Sequence, residues 1–145
     1  MNREKLTIYR CPICETVLEV LDPCGLELIC CGPEMVALTE KSGDGTEHVP
    51  MIFHLGSGIQ VVVGDGRHPM TADHRIAWIE LICDGKRQRQ FFDPGQWPVA
   101  FFEMTGRKIS ARAYCTLDGL WKAERRCKEA SGLLWPELQA CVAAM

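Results

Sequence analysis

Five cysteines within the first thirty-one positions, four of them in two close pairs, leave few ways for the start of this chain to fold. Cys11-Pro12-Ile13-Cys14 brings two sulfurs together across a short turn, and Cys30-Cys31 follows after fifteen further residues. A segment of about 40 residues or fewer cannot bury enough apolar surface to fold alone and needs a metal, a disulfide or a partner. Four thiolates in two pairs suit a closed tetrahedral site for iron or zinc. Successive side chains on an extended backbone point opposite ways, so Cys30 and Cys31 can share a metal only where the chain bends. Gly32-Pro33 supplies turn chemistry at that place. The chain has nine cysteines in all, an odd number, and its opening Met1-Asn2-Arg3-Glu4-Lys5 leads into no apolar signal region. Both features favour metal or redox chemistry over a disulfide framework.

Charge then narrows the function. Sixteen basic residues against nineteen acidic ones, a formal charge of −3, argue against binding to nucleic acid or to an anionic membrane surface. No apolar run in the 145 residues approaches the roughly 18 needed to span a bilayer, so a cytoplasmic protein is expected. The basic clusters Lys86-Arg87-Gln88-Arg89 and Arg125-Arg126 lack interleaved aromatic residues and read as solvated faces.

The polar stretch Glu40-Lys41-Ser42-Gly43-Asp44-Gly45-Thr46 reads as a linker and places a boundary near residue 40. Beyond it, strands are expected at Val49 to Leu55, Ile59 to Val63, Ile76 to Cys83, Gln88 to Phe92, Val99 to Met104 and Ile109 to Cys115. Glycine-rich turns and Asp-Gly pairs separate them. Short strands at this spacing predict an all-β antiparallel sandwich. Ile109, Ala111, Ala113 and Cys115 share one parity, which turns Cys115 inward. The tail differs. Lys122 to Ala130 is rich in helix formers, and Pro136 suits the first turn of a second helix, so a short helical extension over 124–145 is expected.

All four histidines lie between His48 and His74. His68 and His74 would stand about 20 Å apart on a straight strand, so they can meet at one metal only on a loop, which Pro69 and Thr71-Ala72-Asp73 favour. A strand-like course separates His48 from His54 by the same distance, which makes His54 a structural or surface residue. Cys24, Cys83, Cys127 and Cys141 belong to no motif, and Cys83 on an apolar strand reads as a small core residue. Trp78 and Trp121 read as core and site-wall residues.

In order along the chain, the pieces Tyr9-Arg10-Cys11-Pro12-Ile13-Cys14, Cys30-Cys31-Gly32, Glu47-His48-Val49-Pro50, His68-Pro69-Met70, Asp73-His74-Arg75-Ile76-Ala77-Trp78-Ile79 and Ala113-Tyr114-Cys115-Thr116-Leu117-Asp118-Gly119-Leu120-Trp121-Lys122 resemble desulfoferrodoxin, the two-iron class of superoxide reductase. The resemblance covers about residues 6 to 123. It implies a desulforedoxin-like domain over 1–39, with iron held by Cys11, Cys14, Cys30 and Cys31. An immunoglobulin-like sandwich over 40–123 then holds a reactive Fe(II). His48, His68 and His74 take three of four histidine places there, and Cys115 takes the thiolate place. It further implies one-electron reduction of superoxide to hydrogen peroxide, a rubredoxin-like electron donor and a homodimer.

Two departures stand out. The fourth histidine is replaced by Asp118, and the lysine expected before the first histidine by Glu47, which joins His48 and Cys115 at the places where the resemblance puts catalytic side chains. Direct ligation by Asp118, contact through water and an incomplete site are the arrangements open at this point. Fe(II) with four neutral histidines and a thiolate carries formal charge +1, whereas an aspartate in place of one histidine brings it to zero and weakens the attraction for an anion. Glu47 in place of the lysine compounds that weakening unless Arg67, Arg75 or Lys122 supplies the lost cation. The competing reading is a non-catalytic electron-transfer protein whose second site has degenerated; a zinc-bearing interaction module ranks below it.

Overall fold

A computed structural model describes residues 6–25, 27–43, 47–64 and 67–126 of the protein. The chain divides into two compact units, Met1–Thr39 and Glu40–Met145. The first holds three short strands, β1 (Ile8–Arg10), β2 (Val17–Glu19) and β3 (Val36–Ala37), in one antiparallel sheet of order β2-β1-β3. Its core is small: Tyr9, Cys11, Val20 and Met35 are buried, with Leu18, Leu28 and Cys30 packed against them. Two of those seven side chains are cysteines of the motif, so the sulfur cluster is continuous with this apolar cluster.

Among the described residues, the second unit is an antiparallel seven-stranded sandwich of the immunoglobulin-like kind. Strands β4 (Pro50–Leu55), β5 (Gly58–Val63) and β8 (Val99–Phe102) form a sheet of order β4-β5-β8. Strands β6 (Ile76–Cys83), β7 (Lys86–Phe91), β9 (Lys108–Cys115) and β10 (Gly119–Arg126) form the other, of order β10-β9-β6-β7. Alternation puts Ile59, Val61 and Val63 of β5, Ile79 and Leu81 of β6, and Ile109, Ala111, Ala113 and Cys115 of β9 into one core. Each fully buried branched side chain there contributes about 1.5–3 kcal/mol of apolar burial. Asp84 (φ 47°) and Gly85 (φ 84°) turn β6 into β7 in the left-handed conformation that a two-residue hairpin requires. Cys83 is 2% exposed in the core, as its apolar strand suggested.

Two expectations are corrected. The helix formers from Lys122 onward begin in a strand: β10 pairs with β9 from Gly119↔Cys115 to Arg126↔Lys108. Cross-strand pairing overrides helix propensity, which is worth only tenths of a kcal/mol per residue. Residues 127–145, with the rest of the expected helical extension and Cys127 and Cys141, lie outside the described residues. The stretch read as a linker is also anchored in part, since Lys41 N–H donates to Leu120 O (2.8 Å) and Lys122 N–H donates to Lys41 O (2.8 Å). Among the described residues, no helix is long and apolar enough to cross a membrane.

The outer face of the four-stranded sheet carries a charged network that its strand pattern did not announce. Glu80, 2% exposed, accepts from Arg87 (2.7 Å), Arg89 (2.8 Å) and Arg112 (2.7 Å). Arg112, 3% exposed, also reaches Glu40 at 3.2 Å, and the Arg89 guanidinium lies 4.3 Å from the Trp78 ring centre. Lys86-Arg87-Gln88-Arg89 is therefore not a purely solvated face: Arg87 and Arg89 turn onto a buried carboxylate.

Candidate metal centres

In the first unit, the turn after β1 gathers the first sulfur pair. Cys11 N–H donates to Thr16 O (2.9 Å), Glu15 N–H donates to Cys11 O (3.2 Å), and Ile13 N–H donates to Cys11 Sγ (3.4 Å). The second pair is adjacent in sequence and still converges, because Cys31 (φ 56°) and Gly32 (φ 108°) reverse the backbone. Cys14 Sγ lies 3.6 Å from Cys30 Sγ, which lies 3.9 Å from Cys31 Sγ. Hydrogen bonds from Thr16 lower the Cys14 pKa to about 6, with Cys30 and Cys11 adding to the effect. The bonded neighbours Cys14 and Cys11, then burial, push Cys30 up to about 12. Four sulfurs crowded this closely cannot all ionise without a cation among them, which is the condition a bound metal meets.

The second cluster forms at one end of the sandwich. His48 stands just before β4, His68 and His74 on the loop between β5 and β6, Cys115 at the end of β9, and Asp118 in the β9–β10 turn. The His68 ring lies edge-on to both the His48 ring (4.8 Å between centres) and the His74 ring (4.9 Å). Asp118 Oδ2 closes the circuit, 2.8 Å from His48 Nε2 and 3.0 Å from His74 Nε2. Cys115 Sγ lies 3.4 Å from both His68 Nε2 and Asp118 Oδ2, opposite corners of that circuit.

The donor atoms of the five side chains all lie within 4.8 Å of one another. Two ligands on opposite sides of a transition metal, at about 2.1 Å for nitrogen and 2.3 Å for sulfur, stand about 4.4 Å apart. The cluster therefore fits around a single ion. His68 shows how its donor is aimed: Nδ1–H donates to Pro69 O (2.7 Å), which leaves Nε2 facing Cys115. Burial, with His48 and His74 nearby, lowers the His68 pKa and favours the neutral imidazole that a metal needs. Burial raises the Cys115 thiol, partly offset by the amides of Asp118 and Leu117. Burial also works to raise Asp118, but its bonds to Cys115, His48 and His74 prevail and hold it below the ordinary carboxylate value.

Residues 39–124 match desulfoferrodoxin, and residues 3–38 match the desulfoferrodoxin N-terminal domain. The chain belongs to the desulfoferrodoxin family. It is 42% identical over 123 residues to the desulfoferrodoxin of Desulfarculus baarsii, covering 83% of this chain and 98% of that one. It is 44% identical over 123 residues to that of Syntrophotalea carbinolica, again across 83% and 98% of the two chains. The crystal structure of the superoxide reductase from Treponema pallidum superposes with a TM-score of 0.67 at 26% identity, covering 84% of this chain and 99% of that one.

Within this desulfoferrodoxin-family chain, His54 stays outside the cluster, on β4, where burial and Arg125 lower its pKa. Glu47 is exposed, and Lys122 is engaged by Glu40 (3.1 Å) and Glu124 (3.1 Å) rather than turned to the site. Arg75 donates to Ala72 O (2.7 Å). The sequence reading missed several supporting residues. Thr71 closes the His74 loop, accepting from His74 N–H (3.1 Å), and Thr116 ties that loop to the Cys115 turn by donating to Asp73 O (3.1 Å). Trp121, by contrast, stands where the sequence suggested, as a wall of the site: it stacks on His48 with ring centres 5.0 Å apart, and its indole N–H donates to Asp118 O (3.2 Å).

Gly64 is the least legible of these residues, since Gly64-Asp65-Gly66 read only as a turn. Its φ is +67°, and a Cβ there would stand 2.3 Å from Glu47 O and 3.0 Å from His68 Cβ. The glycine thus lets both the backbone before His48 and the His68 side chain close on the chain at position 64. Gly64→Ala is expected to speed metal loss from this cluster at least about tenfold while sparing the four-cysteine cluster. Metal content at each centre after dialysis checks it, and full retention at the histidine cluster would show that the loop yields without moving the ligands.

Proposed function

We propose that this chain is an iron superoxide reductase, adding one electron and two protons to superoxide to give hydrogen peroxide. His48, His68, His74, Cys115 and Asp118 hold the reactive iron in this reading, and Cys11, Cys14, Cys30 and Cys31 hold a second iron in the 1–39 domain. The observation that carries it is the closed circuit of three imidazoles and the Asp118 carboxylate, with the Cys115 sulfur beside it. The likeness to the superoxide reductase of Treponema pallidum supports the same chemistry.

Reduced iron, when bound, supplies the electron. The protein's own part is to fix the ligands and set their charge. The Pro69 carbonyl holds His68 in one tautomer, and Trp121 buttresses His48 from the side. The Asp118 amide donates to Cys115 Sγ at 3.3 Å, which tempers the thiolate's electron donation. Asp118, where the resemblance expects a neutral histidine, would as a ligand remove one unit of positive charge. Glu47, where the resemblance expects a lysine, adds no attraction for an anion. A rubredoxin-like donor, a homodimer, a cytoplasmic location and a role in removing superoxide belong to the same reading.

Iron content per chain, on protein purified without oxygen, is the first test. Two irons are expected, one for each cluster of donors. One iron, or zinc alone, would favour an electron-transfer protein with a degenerate second site. Asp118→His then probes the ligand itself. A partly exposed charge is worth about 1 kcal/mol, so superoxide consumption should stay within about fivefold of the natural chain. A far larger gain would mean that Asp118 cripples the site rather than completing it.

A further inference from the structure

We propose that Lys41 is a positioning residue for the second centre, holding Asp118 in the orientation that completes the ligand circuit. The proposal rests on the reading of Asp118 as a ligand. Lys41 Nζ donates to Asp118 O at 2.8 Å, and Trp121 Nε1 donates to the same oxygen at 3.2 Å. On the other side of Asp118, its amide donates to Cys115 Sγ at 3.3 Å. The backbone of Asp118 is therefore held at both its N–H and its C=O, and from that fixed backbone the carboxylate reaches His48 and His74.

The lysine is itself well anchored. Its main chain is bonded to Leu120 and Lys122 of β10, 2.8 Å each, so the side chain starts from a fixed point beside the turn. Its ammonium lies 5.4 Å from the centre of the Trp121 ring, within reach of a cation–π attraction, and that ring stacks on His48. Gly119, with φ +86°, completes the reversal after Asp118, and a Cβ there would meet Lys41 Nζ only at 3.7 Å. One lysine thus contacts both the carbonyl of one proposed ligand and the ring that supports another. It also places a cation beside the Asp118 turn, a part that Arg75 and Lys122 do not play because their side chains bond elsewhere.

Residues that orient metal ligands typically cost 10–100-fold in metal affinity when removed. In the iron-loaded full chain, Lys41→Met keeps the apolar stem and removes the donor. Iron loss from the histidine–cysteine centre into an excess of chelator should accelerate about tenfold, and its thiolate absorption band should shift. The four-cysteine centre, followed by its own absorption, should lose iron at the natural rate. Lys41→Arg, which retains charge and donors, should restore most of the retention. Trp121→Phe, which removes the second donor to the same carbonyl, should move both readouts in the same direction.

Unchanged iron retention and an unmoved band in Lys41→Met would overturn the assignment, as would equal acceleration at both centres. A natural chain that carries iron only at the four-cysteine centre would instead remove the underlying ligand reading. A chain that shows the full Lys41 effect yet consumes no superoxide would remove the superoxide reading and leave the lysine's role standing.

Discussion

Cys115→Ser is expected to lower superoxide consumption at least a hundredfold while the four-cysteine centre keeps its iron. Outer-layer partners of metal ligands are worth about 10–100-fold, so losing the ligand sets the upper end of that range as a floor. Serine preserves size, and Cys115 is wholly buried at the end of β9, so the sandwich has no packing reason to unfold. What changes is chemistry. A thiol gives up its proton to a metal readily, whereas a hydroxyl in the same buried place does not. Burial raises the Cys115 thiol, so the anion depends on a cation among the five donors. The amides of Leu117 and Asp118, which aim at sulfur, would then face a neutral oxygen. The measurement is the rate of superoxide consumption by protein whose iron has been counted centre by centre. Retained activity with Cys115→Ser would refute the placement of this cysteine at the reacting metal. Activity lost together with iron from both centres would point to a folding defect instead.

The same cysteine shows which parts of the molecule the sequence made legible. Its inward parity followed from Ile109, Ala111 and Ala113, because a period of two in a half-buried strand is a local property. The range Ile76 to Cys83 and the loop that brings His68 to His74 were legible for similar reasons. The four-cysteine turn was legible in its motif, although the positive φ at Cys31, the feature that lets adjacent cysteines converge, leaves no mark in composition. Other features depend on partners distant in the chain. Lys122 to Arg126 reads as helix until β9 is beside it, and the charges at Lys122 and Glu124 then fall on one face by alternation. Lys41 sits in a glycine-containing polar stretch and acts 77 positions away, at the Asp118 carbonyl. Gly64 matters because of what two other segments bring near it. Motif and period carry ligand identity and strand face, whereas the supports of the ligands are set by tertiary contact.

Glu80 lies in the same category, and its removal carries the second large expected effect. Glu80→Gln should destabilise the sandwich by about 3–5 kcal/mol, the cost of breaking a buried ion pair by deleting one partner. The three arginines do not share that cost equally. The Arg87 and Arg89 side chains are 21% and 23% exposed and can turn toward water, whereas that of Arg112 is 4% exposed and cannot. Glu40 also reaches Arg112, at 3.2 Å, but it is already shared with Lys122. Most of the penalty therefore belongs to one stranded guanidinium, and adding Arg112→Met to Glu80→Gln should recover more than half of it. Urea unfolding of the three variants tests this, and a loss below about 1 kcal/mol in Glu80→Gln would place the carboxylate among ordinary surface pairs. The position matters for the metal site through register. Glu80 pairs with Arg112 across β6 and β9, the two strands that also set Ile76 against Cys115. A slip of one residue would carry these charges into the apolar core and Cys115 out of it. The network thus opposes misregister on the strand pair that delivers the thiolate, and it does so at a distance from any ligand. Below the unfolding transition, Glu80→Gln should accordingly keep its natural iron content at both centres.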